Sequence, residues 1–574
     1  MKKNKTYKAE ISPRRGTLRN SVKRTLRNSA CPPWWVNLFI FIIFPLSLQA
    51  QTLPVGFPVL EESLRRAQLL GELDSTVSFT LRPLNPRQLT SYSDTYQVGN
   101  LVSDDTLPKS KMQYRFWKER GRVQLLPFHQ AIEFNTHHPY PQVNGPMVVN
   151  RGFQSYSSVG AYAEVGPLSI QFQPEHIWAQ NRPYDLRGSK SVYTEYLERR
   201  GENSYSTFLL GQSSIRLNAG AFSIGASNEN IWWGPGQFNS LMFTNNAFGF
   251  QHLTLNTRKP AKTFIGSFEG QIVIGRLEGS GLSQRFMHSL VNDWRYVNAI
   301  LLTYQPKWIS GLTLGGTRVF QQYDSFRGDS FADYFPVINP FQKVEAGFDM
   351  DADGRDQKAS VFLRYAIPKA KTEVYFEYGR RDHAYDWREF VSNPEHARAY
   401  LMGFTKLFNL ESGNLIQVRG EMLQQQESIN ILARYPNTTG GGSNWAGHSP
   451  VRHGFTHFGQ MVGPGIGPSS NIQTLETAWI SGNRKLGVRL DRLNRHQDIY
   501  VKNFNDATQN GRWVDLNLGL LADWQFGRLF VSSQWFFINS LNYQWRLDPS
   551  STAEFPKGMD VINFQSTIRA AYVF

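Results

Sequence analysis

From Pro146 to the end of the chain, apolar and polar residues alternate with period two, the pattern of strands with one apolar and one polar face. The last segment, Asn563–Phe574, shows it most clearly. Phe564, Ile568, Ala570, Tyr572 and Phe574 share one face with Ser566 as its polar member, while Gln565, Thr567 and Arg569 lie on the other. Val361–Ile367, Thr372–Tyr378, Asp515–Trp524 and Leu529–Phe537 repeat the pattern, and turn-prone pieces such as Asn437–Asn444 and Asp548–Ser551 separate such strands. Upstream the period changes. In Phe57–Leu73 the apolar positions Leu60, Leu64, Ala67, Leu70 and Leu73 keep helical spacing, with Glu61, Glu62, Arg65 and Arg66 between them. Met112–Val123 is a second, less clear stretch. Residues 51–145 therefore read as a small, partly helical N-terminal region and residues 146–574 as an all-β body.

The N-terminus carries a different signal. Residues 1–28 hold ten basic residues against Glu10, and residues 29–50 hold no charge. The apolar run Trp34–Leu48 follows, with Ala50 as a plausible cleavage residue, so residues 1–50 read as an export signal. Cys31, the single cysteine, precedes that run, and the exported chain would have no disulfide. The formal net charge of +15 is largely a property of this leader; the rest has 51 basic against 45 acidic residues, which removes the main support for nucleic-acid binding.

Composition then excludes other classes. With 40% hydrophobic and 19% charged residues the chain is too apolar for disorder. A mean hydropathy of −0.41 does not suit a polytopic helical membrane protein. A soluble β-sandwich explains alternation equally well, but not the export signal, the absent cysteines and the terminal aromatic together. A terminal strand that is apolar on one face and ends in Phe574 resembles the closing strand of bacterial outer-membrane barrels. At roughly 24 residues per strand with its connection, the chain from residue 148 holds about 16 to 18 spanning strands.

One segment stands out chemically. Ser227–Gln251 runs SNENIWWGPGQFNSLMFTNNAFGFQ. Trp232 and Trp233 offer flat apolar faces for sugar C–H groups, and Asn228, Glu229, Asn230, Asn245 and Asn246 offer donors and acceptors for hydroxyls. Gly234-Pro235-Gly236 fixes a tight turn. The same residues would equally serve an interfacial aromatic girdle or pack a loop inside the barrel. Asp349, Asp351, Asp353 and Asp356, with Gly354, look like half of a calcium loop, but Ser360 stands where a bidentate Glu is needed. His453 and His457 are four apart without an accompanying HExxH motif, so no zinc site is expected. No P-loop and no GxSxG elbow is present; no catalytic residue, metal or cofactor is expected.

The Ser227–Gln251 segment closely resembles the signature of the Wzi family of capsule assembly proteins: a Trp-Trp-Gly-Pro-Gly turn, an apolar stretch, then Asn-Asn-Ala. Arg151–Asn181, with Pro174 and Glu175, resembles that family's first barrel strands. Gln357–Tyr365, Val374–Asp382, Trp387–Gly403 and His453–Asn471 match later parts in order. The resemblance implies an all-β transmembrane barrel of about 18 antiparallel strands with a small, partly helical N-terminal periplasmic region. It also implies a non-enzymatic, lectin-like role in holding capsular or other surface polysaccharide. A protein of this kind would meet outer-membrane lipid and the barrel-insertion machinery as well. A porin or transporter with an open lumen is the alternative, since any barrel of this size could conduct. A barrel-embedded enzyme lacks a motif.

Overall fold

The structure is a computed structural model of the chain, describing residues 52–57, 59–85, 112–117, 120–185, 194–282, 291–341, 354–381, 386–395, 397–425, 445–503 and 511–574. The expected leader with Cys31, the turn 437–444, and Asp349, Asp351 and Asp353 lie outside the described residues.

Alternation closes the sheet. The strands form one antiparallel barrel of eighteen strands, joined where the last strand, Val561–Tyr572, pairs with Gly121–Asn135. The register there runs from Gln565 opposite Asn135 to Tyr572 opposite Phe128. The hairpins closed by the pairs Val165/Leu168, Ala219/Phe222, Ser481/Arg484 and Phe526/Leu529 have two-residue turns. Each begins with a glycine, Gly166, Gly220, Gly482 or Gly527, whose φ of 55° to 59° is the left-handed backbone that such turns require. Short turns gather at one end and long loops at the other; in outer-membrane barrels these ends face the periplasm and the exterior respectively.

Each strand puts apolar residues outward and polar ones inward. In the last strand Ile562, Ile568 and Tyr572 are exposed on the outer wall, while Asn563, Gln565 and Thr567 are buried in the lumen. In Val514–Phe526 the outward residues are Leu516, Leu518 and Leu520, against inward Asp515 and Asn517. Among the described residues no helix is long and apolar enough to cross a membrane; this chain crosses with strands.

The sequence places the start of the barrel too late. The wall already includes Gly121–Asn135, upstream of residue 146, and the stretch 112–123 is not helical but holds the strand Gln113–Phe116 and the start of that first wall strand. The reason is a register shift between Leu126 and His129, at Pro127. Val123 faces outward before it, Phe128 and Ile132 after it, so the outward set changes from odd to even positions and the alternation is hidden.

The helix expected in Phe57–Leu73 forms as Leu60–Leu70 and is stopped by Gly71, whose left-handed φ of 80° lets its N–H turn back to the last carbonyls. It is seated inside the barrel mouth at the short-turn end. Leu69 packs on Ala366 and Leu407 of the wall, and Phe57, Leu60 and Leu64 pack with Phe530, Ala571 and Val573.

Candidate functional site

Of the chain segments that fill the lumen, two meet each other in a short ladder. From the short-turn end comes the N-terminal segment, residues 52–85, with its helix. From the long-loop end the loop between the wall strands Phe222–Ser227 and His252–Thr257 folds inward. That loop contains the whole tryptophan–glycine signature. The two join as a small antiparallel ladder, Leu81 opposite Trp233 and Arg82 opposite Trp232.

Arg82 holds the turn. Its guanidinium donates to the carbonyls of Gly234 (2.7 Å) and Gly236 (3.2 Å) and lies 4.6 Å from the centre of the Trp232 ring. A Cβ on Gly236 would stand 2.0 Å from the Asn239 carbonyl, so only glycine fits there. The wall completes the clamp. One carboxylate, Glu421, accepts from the backbone N–H groups of Gln237 (2.7 Å), Phe238 (3.1 Å) and Asn239 (2.7 Å), and from the Tyr375 hydroxyl (2.8 Å).

The seven candidate residues separate into two groups. Five are engaged in holding the loop. Trp233 is fully buried, donating to Gln271 (2.8 Å) with its ring 4.8 Å from Phe243. Asn228 donates to the Gly249 carbonyl (3.0 Å), Asn246 to that of Met461 (2.9 Å), and Asn230 to that of Ala247 (2.8 Å) while accepting from Gln212 (2.8 Å). Glu229 pairs with Arg216 at 2.6 Å and also accepts from Ser227 and Thr52. Burial pushes its carboxyl up, but Arg216 and these hydrogen bonds outweigh that and keep it below the ordinary range. The other two, Trp232 and Asn245, line an internal cavity of about 290 Å³. The Trp232 indole N–H has no partner among the described residues; nor do the Asn239 side-chain Oδ1 and one Glu175 carboxylate oxygen on the same cavity wall.

Above the cavity the lumen is apolar. Leu241, Met242 and Phe243 of the signature loop, with Trp445, Phe455 and Val462, pack against the inward wall residues Val297, Leu301, Val319, Ala399 and Leu401. Below it lies a charge network. Glu62 of the helix meets Lys485 (2.8 Å) and Arg419 (2.9 Å) of the wall, and both cations also meet Glu476 (2.8 and 2.7 Å).

The residues of this lumen identify the architecture as a plugged barrel built around the signature loop. A model of the family described as capsule assembly protein Wzi matches residues 136–541. The chain belongs to the Wzi capsule assembly family. Among solved structures, Wzi of Escherichia coli, described as an outer-membrane protein involved in group 1 capsule assembly and a carbohydrate-binding β-barrel, shares the fold at 11% identity. Its TM-score is 0.57, with 91% of this chain and 100% of that one covered. OprD of Pseudomonas aeruginosa (8% identity, TM-score 0.35, 78% of this chain and 92% of that one) and OccAB2 of Acinetobacter baumannii (8%, 0.36, 78% and 97%) are looser likenesses that decide nothing. Among curated proteins none matches the sequence.

In this Wzi-family barrel all seven candidate residues fall on the inward-folded loop, whose seat was not legible in the sequence. Arg82, Glu421 and the Glu62 network were not singled out, although inward charges of both signs at alternate wall positions, such as Arg419 and Glu421, were a signal for a filled polar lumen. The two histidines serve the loops separately: His457 accepts from the Glu278 N–H (3.0 Å), and His453 shares a hydrogen bond with the Tyr323 hydroxyl (2.7 Å). No cluster able to hold a metal occurs among the described residues.

Proposed function

We propose that this protein holds capsular or other exopolysaccharide at the bacterial surface as a non-enzymatic, lectin-like barrel. The observation that carries the reading is the filled lumen. An apolar layer contributed by the signature loop and residues 445–462 packs across the barrel interior, which leaves the surface and its internal cavity, not a water-filled pore, as the working parts. Membership in a capsule assembly family supports the same reading, as does the fold shared with a carbohydrate-binding barrel. The basic and then apolar leader of residues 1–50 supports export by a cleaved signal, and insertion by the outer-membrane barrel machinery would follow.

Of the seven candidate residues we assign direct sugar contact to Trp232 and Asn245, the two that line the cavity. Asn228, Glu229, Asn230, Trp233 and Asn246 position them. Binding of the purified barrel to the polysaccharide of its own strain tests this assignment. Trp232→Ala and Asn245→Ala are each expected to weaken binding by about two- to tenfold, the order of one buried hydrogen-bonded contact, while the barrel still inserts. Unchanged binding in a well-inserted double variant removes both from the site.

A further inference from the structure

The outer wall carries a second, unrelated cavity of about 430 Å³, on the lipid side of the barrel near the long-loop end. Its floor crosses the strands Arg295–Pro306, Leu312–Tyr323, Asp356–Ile367 and Thr372–Arg381. Ile300, Leu302, Gly316, Ala359 and Val361 form that floor, and Leu302 and Val361 are 57% and 63% exposed, as residues that meet lipid tails are. Two loop segments fold down over the outside of the barrel as its sides. One brings Val337 and Phe341; the other is the short helix Trp387–Ser392, which brings Trp387 and Phe390.

The upper edge of this groove is cationic. Arg318 lies on the outward face, in step with Leu314 and Gly316, yet is only 4% exposed because the first loop covers it. Its guanidinium donates to the Gln357 side chain and to the carbonyls of Val337, Asn339 and Pro340, and lies 4.0 Å from the centre of the Phe341 ring. All these partners are neutral, and among the described residues no carboxylate forms an ion pair with it. Arg380, also outward, is balanced by Glu389 at 2.6 Å. Arg388 is exposed on the helix beside Trp387. Among the described residues, Asp386 of the same helix offsets Arg388, and Arg318 is left as a cation without a carboxylate partner; the groove there joins an apolar floor in the hydrocarbon region to a positive edge toward the exterior, which favours an anion nearby.

We propose that this groove holds an acyl chain of a phosphorylated glycolipid from the outer leaflet, with its anionic head group beside Arg388 and above Arg318. Within a membrane the tails of any lipid are equally apolar, so hydrophobicity does not select the occupant. Selection comes from the shape of a floor kept low by Gly316 and Ala359, and from the charge at its edge.

The test is the lipid that accompanies the full chain when it is extracted from its own membrane in mild detergent and analysed by native mass spectrometry. The wild type is expected to retain a phosphorylated glycolipid after washing. Ala359→Phe, which fills the floor from the lipid side, is expected to lose most of it. Arg388→Glu, an exposed change that leaves folding untouched, is expected to lower it several-fold. A barrel that carries no lipid, that carries ordinary phospholipid instead, that pulls down a protein on this face, or that keeps its glycolipid in both variants overturns the proposal.

Discussion

Replacing Trp233 by alanine is expected to cost about 3–5 kcal/mol of barrel stability, the range for deleting a fully buried large aromatic. Its side chain is 0% exposed, meets Phe243 edge-on at 4.8 Å, and supplies the indole N–H that Gln271 accepts at 2.8 Å. The removed ring leaves a void at the junction of the signature loop, the N-terminal segment and the wall, and strands the Gln271 oxygen. Trp233→Phe keeps most of the packing and loses only the hydrogen bond, about 1 kcal/mol. The adjacent Trp232→Ala costs less, since that indole faces the cavity with an unpartnered N–H. Denaturant unfolding in detergent micelles reads all three. Equal losses for the two tryptophans would contradict the division between a positioning residue and a cavity-lining one.

Reversing one charge is expected to unseat the plug. Glu62 lies among Arg66, Arg419 and Lys485, so Glu62→Lys leaves these cations and a new one facing Glu476 and Asp523 alone. Breaking a buried pair in this way costs about 3–5 kcal/mol. Trypsin cleavage at Arg65 or Arg66, both buried in the folded chain, is the readout. Glu62→Gln should give a smaller effect in the same direction. Conductance in planar bilayers should stay low in Glu62→Lys, because the apolar layer at the long-loop end is independent of the helix, and should rise only when Trp233→Ala is added.

The pH dependence of the seat follows from the same network. Burial pushes the Glu62 carboxyl up, yet Arg419, Lys485 and Arg66 outweigh it and hold the group far below its ordinary value of 4.5. A carboxyl lowered on folding contributes its full stabilisation above the unfolded value, and that contribution fades only as pH falls through the folded value. The Glu62 contribution should therefore be constant from about pH 5 to pH 8, read as trypsin cleavage of the plug relative to an unfolded reference substrate at each pH.

The helix and the barrel were legible because both are periodic. Leu60, Leu64 and Ala67 mark one helical face, and Asn563, Gln565 and Thr567 mark the lumen side of the last strand. The first wall strand was not legible, because the bulge at Pro127 moves the outward set from Val123 to Phe128 and breaks the period. Nor was the seat of the signature loop. Tryptophans and asparagines have the same composition whether they meet sugar or hold a loop, and only the partner of each side chain divides them. The charge network is the hardest case: Glu62 and Lys485 are 423 residues apart, and nothing in either neighbourhood names the other.

If a plugged barrel of this family keeps polysaccharide on the cell, polymer partition in a strain lacking the protein reads that role directly. Cell-bound and medium-released polymer are compared at equal total synthesis, with and without a restored wild-type copy. Polymer is expected to move from cells to medium in the deletion and to return with the restored copy. Unchanged partition, together with steady ion conductance by the purified wild-type barrel, would contradict that role.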